Sequence, residues 1–328
     1  MPFTCASFFA GVGGIDLGFH NTGEFTTIYA NEFDSYPART FSMNFPGVPM
    51  EVKDIRTVNC EDIPDFDVML AGFPCQAFSV AGLRQGFDDA KGRGELFFEL
   101  VRILEDKRPR VAFFENVKNL VGHDNGNTFK VICNQLDLLG YHYTYKVLNA
   151  MKYGNMAQNR ERIYIVAFRD EADFKKFEWP EPIPRTKTVK DIIDFHTKQD
   201  DKYYYTKGKY KGDIYEKLEE AMADDDINDP AIYQWRRKYV RKNKSGVVPT
   251  LTANQGEGGH NVCLVKTERG IRKMTPRECF NTQGFPETFI LPSDMAESRL
   301  YKQAGNSVCV SVIERIAANI YDAIKEEP

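Results

Sequence analysis

The chain has 328 residues, 42 % of them hydrophobic and 13 % aromatic, enough to build one large domain or two smaller ones with a sizeable core. A net charge of −4, from 43 basic against 47 acidic side chains, excludes a uniformly basic nucleic-acid binder and leaves only a local patch for that role. Seven cysteines, an odd number with no Cys-x-x-Cys pair, argue against a disulfide framework or a zinc knuckle; no metal is expected, and the chain reads as a reduced, cytoplasmic protein. No apolar run approaches the roughly 20 residues of a membrane span, and Met1-Pro2-Phe3-Thr4-Cys5 lacks the charged start of a signal peptide, so no membrane is expected.

In chain order, Phe3 to Phe9 is an apolar, β-prone run that leads through Ala10-Gly11-Val12-Gly13-Gly14 into a helix-like stretch ending near Phe19. Thr26 to Ala30 and Asp67 to Ala71 read as strands. Glu95 to Leu104 carries apolar residues at helical spacing, Val111 to Phe114 is a buried-type strand, Phe129 to Leu139 a helix and Arg162 to Phe168 a late strand. Such alternation predicts a mostly parallel sheet with helices on both faces. After Phe168, Trp179-Pro180-Glu181-Pro182-Ile183-Pro184 signals a linker, and the chain to about Thr267 is polar, aromatic and loop-rich. Thr275 to Gln283 regains helical character. In the final run, Val308, Val312, Ile316, Ile320 and Ile324 form one stripe, which predicts a helix packed back on the first domain.

Chemistry concentrates in a few places. Gly72-Phe73-Pro74-Cys75-Gln76-Ala77-Phe78-Ser79 sets one thiol behind a proline at the end of a strand, the rim at which open α/β sheets bind ligands. A thiolate there can attack an electron-poor carbon, whereas the plain alternative is a small buried hydrophobe. The glycine turn lets a backbone approach a nucleotide-like ligand but lacks the Gly-x-Gly-x-x-Gly spacing of dinucleotide folds; a mere tight turn is the alternative. Glu32, after the second strand, suits ribose hydroxyls, and Asp54 an adenine amino group; either can equally be a solvated carboxylate. Glu115 follows a buried strand, where a desolvated carboxyl can stay protonated and serve a base nitrogen, or act as a helix cap or ion-pair partner. Arg160 and Arg162 alternate into a strand, so both can face one cleft or both be solvated. Arg236 to Lys244 carries six positive charges in nine residues, balanced upstream by Asp224, Asp225, Asp226 and Asp229.

Taken together the chain resembles the DNA cytosine-C5 methyltransferases of bacterial restriction-modification type. The matching stretches are the Phe-x-Gly-x-Gly-Gly turn, Pro74-Cys75-Gln76, Glu115-Asn116-Val117 and Gln158-x-Arg160-x-Arg162, then Arg272-Lys273-Met274-Thr275-Pro276-Arg277-Glu278-Cys279 and Gln303-Ala304-Gly305-Asn306-Ser307-Val308. The resemblance implies an α/β fold: a Rossmann-like S-adenosylmethionine-dependent catalytic domain (residues 1–178 with 303–328) and a smaller irregular, β-rich target-recognition domain (179–270). A support segment (271–302) would join them. It implies covalent addition of Cys75 to carbon 6 of a flipped cytosine, with Glu115 on ring nitrogen 3, Arg162 on the carbonyl oxygen at position 2, and Arg160 fixing Cys75 and nearby backbone. S-adenosylmethionine, leaving as S-adenosylhomocysteine, would contact Phe9, Ala10, Gly11, Val12, Gly13, Gly14, Glu32, Phe33, Asp54, Ile55, Pro74 and Leu96, with Asn306 and Ser307 near its methionine end. Gly82 to Gly94 would close over the flipped base.

Double-stranded DNA would be contacted by Ser79, Gln234, Arg236, Arg237, Tyr239 and Arg241, and by Thr250 and Leu251, the family's Thr-Leu pair. The resemblance also implies a nucleoid-associated monomer, whose cognate endonuclease, if one accompanies it, acts on the same site without a stable complex. Three rivals remain in view: a transfer-RNA cytosine-5 methyltransferase, a Rossmann-type oxidoreductase, which would need the missing glycine spacing, and a DNA-binding regulator without catalysis.

Overall fold

The structure is a computed structural model describing residues 1–74, 95–209, 212–236, 238–255 and 263–326. By Cα proximity the chain forms two compact units, one of residues 1–148, 161–181 and 312–328, the other of 149–160 and 182–311.

The first unit opens with β1 (Phe3–Phe8), α1 (Gly14–His20), β2 (Phe25–Asn31), α2 (Ser35–Asn44), β3 (Met50–Glu51) and β4 (Val68–Ala71). It continues through α3 (Glu95–Lys107), β5 (Val111–Val117), α4 (Asn127–Leu138) and β6 (His142–Asn149). The chain then enters the second unit for α5 (Ala150–Tyr153) and β7 (Gln158–Asn159), and returns with β8 (Glu161–Phe168) and α6 (Glu171–Lys176). One seven-stranded sheet results, in the order β3-β2-β1-β4-β5-β8-β6. The pairs among β1 to β5 are parallel, and β8 runs antiparallel to β5 in the register Glu115↔Tyr164 and Val117↔Arg162. The mostly parallel sheet expected from the alternation is therefore present, with one reversal that the alternation does not encode.

Residue alternation along the strands supplies both faces of this sheet. On one face Ala6, Phe8, Met69, Ala71, Ala112 and Phe114 pack with Phe97, Leu100 and Ile103 of α3 and with Ile132 and Leu136 of α4. On the other, Phe19 of α1 meets Phe113 edge-on at 5.3 Å.

The second unit goes on with α7 (Ile214–Ala221), β9 (Tyr233–Trp235), β10 (Val240–Lys242), β11 (Val248–Pro249), β12 (Cys263–Thr267) and β13 (Gly270–Lys273), then α8 (Pro276–Asn281) and α9 (Glu297–Asn306). The terminal helix α10 (Val310–Ile324) belongs to the first unit from Val312 onward. There a Cβ on Gly18 of α1 would stand 2.5 Å from Ile313, so α10 does pack back on the first unit, as its stripe predicts. An antiparallel sheet, β10-β9-β12-β13, is the centre of the second unit, over a small core of Leu218, Met222, Tyr233, Leu264 and Ile271. Thr275 and Glu278 form a capping box at the start of α8. The same Glu278 pairs at 2.6 Å with the fully buried Arg272, which also donates to the Asp194 carbonyl. Among the described residues no helix is long and apolar enough to cross a membrane.

Candidate active site

The turn after β1 is conformationally demanding. Phe9 stands at φ +52° and Gly11 at φ +56°, and a side chain as bulky as Phe9 adopts that left-handed region only under constraint. A Cβ built on Gly11 meets no atom within 4 Å, so the turn borders open space there. Gly13, at φ +84°, is different: a Cβ would collide with Phe45 at 2.4 Å. The Gly11 amide donates to Glu32 Oε2 at 2.9 Å, while Glu32 Oε1 accepts from the Asp34 amide at 2.8 Å. Burial raises the Glu32 carboxyl above its ordinary value, against the pull of these amides. The Phe33 amide also acts on this carboxylate, and beside it the Phe33 ring is 72 % exposed.

Asn31, which sequence reasoning passed over, ties this edge together. Its carbonyl accepts the Ala10 amide at 3.1 Å, and its side-chain amide donates to the carbonyls of Glu51 and Lys53, each at 3.0 Å. Lys53 precedes Asp54, so the glycine turn, Glu32 and Asp54 are held to one residue at the end of β2. Asp54 accepts from the Arg56 backbone amide and guanidinium, whose hydrogen bonds lower its carboxyl below the usual range. Ile55 is buried, and Phe9 and Leu96 pack against the same core; Pro74 is exposed.

At the far end of β5, Arg162 Nε lies 3.0 Å from Glu115 Oε1, both side chains largely buried. The antiparallel register places these two residues on adjacent strand ends. A Cβ on Gly72 would stand 3.7 Å from Glu115 Oε2, so the segment entering Cys75 passes beside this carboxyl. Asn116, part of the matching Glu115-Asn116-Val117 stretch but given no role there, donates to the Phe73 carbonyl at 2.9 Å and accepts from the Val117 amide at 2.8 Å. It fixes the peptide just before Pro74. Cys75, Ser79 and the Gly82–Gly94 segment lie outside the described residues, as does Arg237.

A family model for C-5 cytosine-specific DNA methylase matches residues 3–322. The chain belongs to that family. It is 60 % identical to the Type II methyltransferase M.Bsp6I of Bacillus sp. (strain RFL6), over 97 % of this chain and 98 % of that protein. It is 36 % identical to the Type II methyltransferase M.HhaI of Haemophilus parahaemolyticus, over 98 % and 94 %. Among solved structures, the S. pombe Dnmt2 methyltransferase superposes with a TM-score of 0.71 at 18 % identity, covering 97 % of this chain and 98 % of that one. The Entamoeba histolytica methyltransferase EhMeth does so with 0.71 at 18 %, covering 99 % and 100 %. At these identities the two structures speak for the fold alone, and the α/β architecture with its separate antiparallel sheet agrees with them.

Family members use S-adenosylmethionine as methyl donor, and the first unit's residues fit that group. The open cradle at Gly11, the Glu32 carboxylate beside it and the exposed aromatic ring of Phe33 are residue types that suit an adenosine. In this methylase Asn306 and Ser307 lie in the second unit, Asn306 exposed and Ser307 buried.

Arg160 is buried in the second unit. Its guanidinium donates to the carbonyls of Leu251 at 3.1 Å, Gly305 at 3.2 Å and Ser307. Leu251 is itself buried, and the Thr250 hydroxyl donates to the Asn159 carbonyl at 2.8 Å beside the β7–β11 pairing. Thus Thr250 and Leu251 engage Asn159 and Arg160. Of the basic run, Val240–Lys242 form β10, which pairs with β9, and the Arg236 amide bonds the Tyr239 carbonyl at 2.8 Å. Tyr239 is 58 % exposed and Arg241 is exposed, while Gln234 is buried and accepts from Arg241.

Proposed function

We propose that this methylase modifies carbon 5 of one cytosine within a short, specific double-stranded DNA sequence, and that it is the protective enzyme of a restriction-modification system. The observation that carries the reading is the Arg162–Glu115 pair at 3.0 Å, beside the Gly72 segment that leads into Pro74 and Cys75. Its context, a carboxyl and a guanidinium desolvated together, suits recognition of a ring nitrogen and a carbonyl on one edge of a flipped pyrimidine. The naming of its relatives as Type II methyltransferases supports the protective role.

Cys75 Sγ adds as a thiolate to carbon 6, which makes carbon 5 electron-rich. Glu115 holds a proton at ring nitrogen 3 and Arg162 donates to the oxygen at position 2, stabilising the charge that addition creates. S-adenosylmethionine supplies, when bound, an electrophilic methyl on a sulfonium centre. Glu32 accepts the ribose hydroxyls, Asp54 the adenine amino group, and Phe9, Phe33, Ile55, Pro74 and Leu96 line the adenosine. Loss of the carbon 5 proton then expels Cys75 by β-elimination. Residues 1–178 with 303–328 carry the chemistry, and 179–270 the target recognition, in which Arg236, Tyr239 and Arg241 of the hairpin meet phosphates and groove edges.

The test is covalent trapping on duplex DNA containing 5-fluorocytosine in the target sequence. A protein–DNA band that survives denaturation, absent from Cys75→Ser, is the expected result. Turnover retained in Cys75→Ser, or no trapped band from active enzyme, overturns the assignment.

A further inference from the structure

Asp54 and Ile55 sit in an irregular segment, a 3-10 turn spanning Ile55–Thr57 followed by another over Cys60–Asp62. Such turns have poor internal hydrogen bonding and rely on outside partners to stay put. Besides the Arg56 bonds to Asp54, one side chain from α3 supplies three such contacts. Arg102, in the middle of α3, donates through Nη2 to the carbonyls of Val58 at 2.9 Å and Ile55 at 3.2 Å. Its Nη1 meets Cys60 Sγ at 3.0 Å, and its Nε bonds Glu99 Oε2, one helical turn back, at 2.8 Å. The planar fork with its fixed donors matches these acceptors as no lysine could. On the opposite flank, the Asn31 amide holds the Lys53 carbonyl. The segment bearing Asp54 and Ile55 is therefore held from both sides, by α3 and by the end of β2. The same α3 presents Leu96 to the core that Phe9 and Ile55 share.

We propose that Arg102 is a positioning residue for adenine recognition: by fixing the Ile55–Cys60 turns it sets where the Asp54 carboxylate waits for the 6-amino group. The proposal rests on the reading of Asp54 as the acceptor of that amino group. A placed carboxylate favours an amino donor and rejects a carbonyl oxygen, whose lone pairs would face its own. If Arg102 loosens, the carboxylate wanders and the preference shrinks, whereas a general loss of stability weakens both ligands alike.

The experiment compares Kd for S-adenosylhomocysteine with Kd for its 6-oxo analogue, S-inosylhomocysteine, by calorimetry on the full-length enzyme. Wild type is expected to prefer the amino compound by at least about tenfold. Asp54→Asn collapses that ratio. Arg102→Met, with a stem of similar length and no donors, is expected to lower it by about threefold or more; Arg102→Lys, a point charge that reaches fewer of the acceptors, falls between. A ratio unchanged in both Arg102 variants, with Asp54→Asn still collapsing it, overturns the inference and leaves the Asp54 reading standing. A ratio unchanged in Asp54→Asn overturns both. Should Arg102→Met fail to fold, the lysine variant decides alone.

Discussion

Asp16 should be an unfavourable charge at neutral pH. It lies fully buried in α1, two residues past Gly14, where Ser7 Oγ of β1 and Thr27 Oγ1 of β2 each donate to it at 2.9 Å. Those two hydroxyls stabilise the carboxylate, but burial outweighs them and pushes its pKa from 3.8 to about 6. A carboxyl titrating roughly two pH units above its unfolded value costs about 3 kcal/mol once both states are ionised. The sign follows from proton binding. Between the two values the native state holds the proton and the unfolded chain does not, so this group's stabilising contribution is complete only below 3.8 and is lost as pH rises through about 6.

Asp16→Asn keeps the shape, stays neutral at every pH, and can accept one hydroxyl while donating to the oxygen of the other. It should therefore be more stable than wild type by about 2–3 kcal/mol near pH 8, an advantage that shrinks to about 1 kcal/mol or less near pH 4.5. Urea unfolding of both proteins across that range reads the difference directly, and every other titrating group cancels in it. A difference independent of pH, or an asparagine variant less stable at pH 8, would refute the reasoning and mean that the charge itself is favourably held.

Gly305→Ala should be poorly tolerated, because its Cβ would fall 2.3 Å from the Thr252 carbonyl carbon and oxygen, backbone that cannot rotate away. A loss of about 2 kcal/mol or more is expected by calorimetric melting, and an unchanged Tm would contradict the close approach. Glu115→Gln keeps the contact with Arg162 but cannot shuttle a proton; kcat should fall by about a hundredfold or more while DNA affinity holds within about threefold. Single-turnover methylation and a filter-binding titration separate the two, and equal losses in both would recast Glu115 as a structural ion-pair partner.

Strongly patterned elements were the most legible part of the sequence. The strands from Phe3, Val68 and Val111 and the helix from Glu95 lie at or near their expected places, because buried parallel strands and amphipathic helices have strong patterns. Helix α2 escaped notice: only Ala38, Thr40 and Phe41 of its ten residues are buried, although Asp34, which caps it by accepting from the Tyr36 amide, was a readable start signal. Strand β6 ends the sheet order and has Leu148 as its one buried residue, so its sequence shows no clean alternation. The reversal of β8 has no local signature, since register and direction are decided by partners far along the chain.

A physical reason unites three side chains whose bonding the sequence did not show. Asn31, Arg102 and Asn116 act by donating to backbone carbonyls, of Glu51 and Lys53, of Ile55 and Val58, and of Phe73. A carbonyl has no letter in the sequence, so the acceptor half of each bond is invisible until the chain is folded. Arg160 makes the same point in reverse. Its motif was recognised, but its engagement with the carbonyls of Leu251, Gly305 and Ser307 was not. Three stretches that look independent along the chain, around residues 160, 251 and 306, are thereby one hydrogen-bonded assembly within the second unit. Loss of the guanidinium would strand three buried acceptors at once, each costing about 1–3 kcal/mol. A substitution at Arg160 that destroys activity is therefore weak evidence for a role in the chemistry unless the folded state has been shown to survive it.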